Sequence, residues 1–234
     1  MLLRFADTAG SATGRLLPTG HARDIVDGIE VTCIDNGMPV VVARAIDLGI
    51  AGSEPHAELA ADQRLAARVQ AVRLAAGKLM GLGDVSGATV PKATLISPPR
   101  DGGTICARTF IPVRPHPAIG VLGAVSVATA LLLPDGVGAD LARLPATGNR
   151  LDIEHPTVHL EVDVELDTAT DPPIGQLAPS TKPCVVSRSP QPCRQRLGHE
   201  DHRATAHRAG RVRPLAVCGG AGAAETLAEA GRWR

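Results

Sequence analysis

The stretch HPAIGVLGAVSVATALLLP, His116 to Pro134, carries no charge between Ala118 and Leu133, and its only hydroxyls are Ser126 and Thr129. No face of it suits water, and a helix that is apolar all round is a buried one. At about 16 residues it falls short of a bilayer span. Pro115 and Pro117 stop it from starting earlier. The expected helix therefore runs over 118–133 inside a core, with the N–H groups of Ala118, Ile119 and Gly120 at its positive end. A buried helix start favours carboxylates or phosphates. The equal alternative is a plain core helix packed closely through glycine.

Working outward, GIEVTCIDNGMPVVVARAIDLGI (Gly28 to Ile50) alternates in period two around Asp35-Asn36-Gly37. Asn-Gly accepts positive φ and turns the chain tightly, while Pro39 stiffens the exit. The turn is expected to leave its N–H groups outward, for water or for an anion. Residues 56–79 read as one amphipathic helix, with Leu59, Leu65, Val69, Val72, Leu74 and Leu79 inward and Glu58, Asp62, Arg64 and Arg68 in solvent. Residues 90–97 and 104–111 read as strands joined by the turn-rich Pro98 to Gly103.

Several tracts together resemble the PrpF family of allylic isomerases. They are LLPTG (Leu16 to Gly20), ARDIVDGIEVTCIDNGMPVVV (Ala22 to Val42), VRLAAGKLMGLGDV (Val72 to Val85), VPKATLISPPR (Val90 to Arg100) and RTFIPVRPHPAIGVLGAVSVATALLLP (Arg108 to Pro134). The resemblance covers Phe5 to Leu166 in unbroken order. It implies an α+β, diaminopimelate-epimerase-like fold with strands wrapped around a buried central helix, of which this chain corresponds to the second half. It also implies cofactor-free movement of a proton in a small tricarboxylate such as 4-oxalomesaconate. The family's Gly-Gly-Thr-Ser-Lys and Asn-Cys-Gly stretches, which carry its lysine and cysteine, belong to the first half and do not occur here. No catalytic residue is therefore assigned, and Lys78 does not stand in the lysine motif.

The expected substrate contacts are Asn36 and Gly37 at the turn and His116, Ala118, Ile119 and Gly120 at the helix start. The family pattern Arg-Cys-His-Ala-Ser-Ile-Gly has Pro115 here for its cysteine and Ala118 for its serine, which removes a thiol and a hydroxyl. His155, in Glu154-His155-Pro156-Thr157, is expected to shape the start of a strand. His21, His56 and His159 read as ordinary surface or strand residues. Two other readings stay open: a non-catalytic carboxylate-binding fragment, and a relative of the aconitate or methylitaconate isomerases.

Charge divides the chain. Residues 1–171 hold 14 Lys or Arg against 20 Asp or Glu, whereas 172–234 hold 10 against 4. Seven prolines and nine arginines after Asp171, without periodicity, read as an irregular tail. The expected boundary is thus 1–171 for an incomplete second domain and 172–234 for a basic tail, disordered or read out of frame from a GC-rich gene. The rival reading is a natural basic tail for nucleic acid or another acidic partner. Its arginines form no helical face and have no interleaved aromatics to stack bases, so no nucleic acid is expected.

Cys33, Cys106, Cys184, Cys193 and Cys218 form no metal spacing, and neither a metal nor a cofactor is implied. Cys33 and Cys106 fit buried strand positions. The odd count and the polar start after Met1-Leu2-Leu3 point to a reducing cytoplasm, with no membrane anchor and with homo-oligomerisation left open.

Overall fold

A computed structural model describes residues 3–5, 8–147, 150–164 and the strand 184–189. Nine strands form one mixed sheet. They are β1 (Leu3–Phe5), β2 (Asp24–Val26), β3 (Ile29–Asp35), β4 (Pro39–Arg44), β5 (Lys92–Ser97), β6 (Ile105–Phe110), β7 (Arg150–His155), β8 (Val158–Asp163) and β9 (Cys184–Ser189). Their order is β1-β9-β8-β7-β6-β5-β4-β3-β2. The pairs β4–β5 and β6–β7 are parallel and the others antiparallel.

Among the described residues three α-helices accompany the sheet: α1 (His56–Ala61), α2 (Gln63–Leu79) and α3 (Val121–Leu132). The run Val40-Val41-Val42-Ala43 shows why β4 is apolar without a break. Val40 and Val42 join the core that contains α3, while Val41 and Ala43 join the one beneath α2. A strand covered on both faces has no use for a polar alternation. Every residue of α3 from Gly123 to Leu131 is buried, against β3, β4, β7 and β8.

The structure corrects four sequence expectations. The 56–79 helix is interrupted at Asp62, whose backbone is extended (φ −82°, ψ 93°) and whose carboxylate caps the second helix by accepting the Leu65 N–H at 2.9 Å. Such a cap satisfies a donor that a helix start leaves unpaired. Leu79, expected inward, is 51% exposed, whereas Arg73 is wholly buried. The Arg73 guanidinium reaches the carbonyls of Val85, Ala88 and Val90 and so anchors the loop before β5. The buried helix starts at Val121, because Gly120 is still extended (φ −72°, ψ 148°).

The fourth correction concerns the boundary at 171. Cys184–Ser189 lies beyond it, yet pairs with both β8 and β1. Backbone pairing supplies this strand with partners that its unpatterned composition did not announce. The chain forms two units, 1–195 and 196–234. The latter, with most of the expected tail, lies outside the described residues.

Candidate functional site

The turn between β3 and β4 is a joint between three parts of the chain. The Asp35 carboxylate, fully buried, accepts the N–H groups of Ala12 (2.8 Å) and Thr13 (2.9 Å) and the hydroxyls of Ser11 and Thr13. It thereby folds residues 10–15 against the turn. Asn36 faces α3: its N–H donates to Ser126 Oγ at 3.1 Å and its Nδ2 to Thr129 Oγ1 at 2.8 Å. Its Oδ1 accepts the Thr8 hydroxyl. Ser126 also donates to the Met38 carbonyl at 2.7 Å. The two hydroxyls of an otherwise apolar helix are thus the two that fasten this turn, which is why burying them costs little.

Gly37 adopts φ 85°, and a Cβ built there would stand 2.9 Å from Leu122 Cδ2 and 3.3 Å from Thr8 Cβ. Only glycine suits both the left-handed backbone and that close approach. The turn and the start of α3, about 80 residues apart in the chain, are therefore in contact.

Two expectations about this turn need correction. Its N–H groups do not point outward, since that of Asn36 is spent on Ser126 and that of Gly37 on the Thr8 carbonyl at 2.7 Å. Asn36 is 1% exposed with its amide engaged at both ends, so its side chain holds the turn and is out of a ligand's reach.

The approach to α3 is the segment Arg114 to Gly120. His116 and Gly120 are exposed, Ala118 is half-buried, and Ile119 is buried in the α3 core. His116 places Nδ1 against the N–H and carbonyl of Ala118. Ala124 N–H makes the first helical bond, to the Gly120 carbonyl at 2.9 Å, and no side chain caps the helix. The N–H groups without an intrahelical acceptor are therefore those of Val121, Leu122 and Gly123, three residues later than expected. Gly123 is not a point of close packing either, since a Cβ there would meet only Ile119 Cγ1 at 4.0 Å.

Histidines and Arg108 gather around this segment. His155 is fully buried, and burial, helped by Arg108, His116 and His56, pushes its imidazole down to about 3. His56, read as ordinary in sequence, meets the Pro115 carbonyl at 2.9 Å. His155 does not merely shape a strand start: it meets the Pro117 carbonyl at 3.1 Å, and the Thr157 hydroxyl donates to the same oxygen at 2.6 Å.

Cys33 and Cys106 are buried, and burial raises the Cys33 thiol to about 12, far from a thiolate. Among the described residues no group of three or more His, Cys, Asp or Glu could hold a metal ion, and no helix is long and apolar enough to cross a membrane.

The chain is 54% identical over 166 residues to the (4E)-oxalomesaconate Delta-isomerase of Novosphingobium sp. (strain KA1), covering 70% of this chain and 46% of that protein. It is 52% identical over 168 residues to the 4-oxalomesaconate tautomerase of Pseudomonas putida (strain KT2440), covering 71% and 46%. The chain thus spans about half the length of these relatives. The crystal structure of a methylitaconate-delta-isomerase shares the fold, with a TM-score of 0.68 at 18% identity, over 80% of this chain and 53% of that one. The family description "PrpF protein" matches residues 1–182, and the chain belongs to that family.

Proposed function

We propose that this chain is the carboxylate-holding half of a cofactor-independent isomerase that moves a proton in a small tricarboxylate of the 4-oxalomesaconate type. The observation that carries the reading is the start of α3. Three N–H groups without a side-chain cap lie beside exposed Gly120 and His116 and against the Gly37 turn. Fixed dipoles of this kind suit a carboxylate, and they stabilise charge developing on an enolate without reorganising. The names of the two relatives at 52–54% identity supply the substrate class.

In this reading the sheet wraps α3 in the diaminopimelate-epimerase-like manner, and His116, Ala118, Gly120 and the main chain at Gly37 border the ligand, while Ile119, buried in the core, anchors the segment. With Nδ1 turned to Ala118, His116 meets the ligand through Nε2. Asn36 contributes by holding the turn against α3. The base that removes a proton beside the carbonyl or double bond, and the acid that returns it, come from the half that this chain does not span.

A carboxylate-binding chain without turnover is the second reading, favoured by the 46% coverage of the relatives. Two measurements separate them. Calorimetric titration with citrate should show weak binding that salt diminishes, and no heat of binding would refute both readings. Adding the chain to 4-oxalomesaconate and following ultraviolet absorbance distinguishes turnover from binding alone.

A further inference from the structure

The segment between β6 and α3 lacks the usual means of holding itself. Pro115 and Pro117 have no N–H, so at alternate positions it can only offer carbonyls. Its backbone ties are the His116 N–H to the Thr109 carbonyl at 2.8 Å and the Ile111 N–H to the Arg114 carbonyl at 2.8 Å. The two proline carbonyls are taken by side chains from elsewhere in the fold: His56 at the start of α1 for Pro115, and His155 with Thr157 around the β7–β8 turn for Pro117.

Partner chemistry sets the protons. A carbonyl only accepts, so His155 must carry a hydrogen on Nδ1 to bond Pro117. Its Nε2 lies 3.4 Å from the Thr109 N–H, which only donates, so Nε2 must be bare. A neutral ring protonated at Nδ1 is the one form that satisfies both sides. Protonating Nε2 would set two donors against each other in a site with no water-exposed surface. The ionisable groups facing the ring are Arg108 from β6, His56 from α1 and His116 from the segment itself, and each disfavours a proton on His155.

We infer that His155 is a positioning residue for the start of α3: as a neutral, Nδ1-protonated imidazole it holds Pro117, and with it the direction from which the chain enters the helix. It moves no proton in the reaction. The inference deepens the carboxylate reading of this helix start and rests on it for its functional consequence, whereas the proton state and the hold on Pro117 can be tested without it.

The experiment uses the whole chain, labelled with ¹⁵N. Long-range imidazole spectra should show His155 protonated at Nδ1 and unchanged between pH 5 and 8, as expected for a group lowered to about 3. An Nε2-protonated ring, or titration within that range, would overturn the inference even if no variant folds. Two substitutions then separate position from bulk. In His155→Asn the amide nitrogen can stand where Nδ1 stood, and amide exchange at Ala118 to Val121 should stay near the parent. In His155→Gln the amide reaches the Nε2 position instead, and exchange there should quicken by about tenfold. Citrate affinity should follow the same order, kept in the Asn variant and lowered about tenfold in the Gln variant. Equal exchange in both variants would refute the hold on Pro117. Absence of citrate binding to the parent would remove the carboxylate reading alone and leave the exchange result to judge His155.

Discussion

The β7–β8 hairpin carries a histidine on each face, and the two faces treat it oppositely. On the face turned to α3, His155 sits between a backbone donor and a backbone acceptor near Arg108, and burial outweighs the pull of the Pro117 carbonyl to hold it neutral. On the other face, His159 lies 2.9 Å from Asp152 and 3.6 Å from Asp101, across from Glu154. Burial pulls its pKa down, but the Asp152 hydrogen bond and the charges of Asp152, Glu154 and Asp101 outweigh burial and raise it. Both rings are nearly inaccessible, at 0% and 4%. Burial alone therefore does not decide a histidine's charge, and the groups that meet its two nitrogens do.

The largest expected effect lies on the carboxylate face. Glu154 accepts the N–H groups of Arg100, Asp101 and Gly103, each at 2.8 Å, and so folds the β5–β6 loop that brings Asp101 to His159. Glu154→Ala should cost about 2–4 kcal/mol by urea unfolding, because three backbone donors, that of Gly103 buried, lose a buried charged acceptor. The same variant should lower the His159 pKa in an NMR titration. A cost under about 1 kcal/mol would break the claim that carboxylates organise this face.

Acid should separate the two histidines by sign. The unfolded His155 takes up a proton near 6.5 and the folded one only near 3. Its contribution to stability is therefore full above about 6.5 and declines by up to about 1.4 kcal/mol per pH unit as pH falls toward 3. His159, raised in the folded state, contributes below its unfolded value of 6.5 and loses that contribution as pH rises through its folded value. Urea midpoints across pH 4 to 9 should show His155→Asn flattening the acid limb and His159→Asn flattening the limb above 6.5. Matching slopes in both variants would erase the contrast.

A smaller effect follows from exposure. Asp101 and Asp152 are each about a third exposed, so water screens the pair of ionic contacts to His159. His159→Asn should cost about 1 kcal/mol at pH 5.5 and less at pH 9. A larger loss at pH 9 than at pH 5.5 would show that the ring works there as a neutral hydrogen-bonding group.

The smallest effect serves as a control at the α3 end. Gly123→Ala adds a methyl where only Ile119 Cγ1, at 4.0 Å, approaches. Stability should rise by about 0.5–1 kcal/mol from the lost glycine entropy. A loss of stability would mean that the helix start is packed more tightly than the side facing His159.

The sequence by itself determined the burial of the apolar helix, the β3–β4 and β5–β6 strand pairs and the tight Asp35-Asn36-Gly37 turn. Each of these follows from local periodicity or from the chemistry of single residues. An uncharged run of this length has no solvent-facing arrangement, and an Asn-Gly pair between β-branched runs has few alternatives to a turn. Only the tertiary structure decided what the polar groups do. Asn36 looks the same in sequence whether its amide meets a ligand or, as here, Ser126 and Thr129, and Arg73 looks like one more solvated helix charge until the loop carbonyls around it are in place. His155 and His159 are four residues apart with similar neighbours, yet one is neutral and the other is biased toward its charged form. Hydrogen bonds and proton states depend on atoms brought together from distant parts of the chain, and local patterning carries no record of those partners.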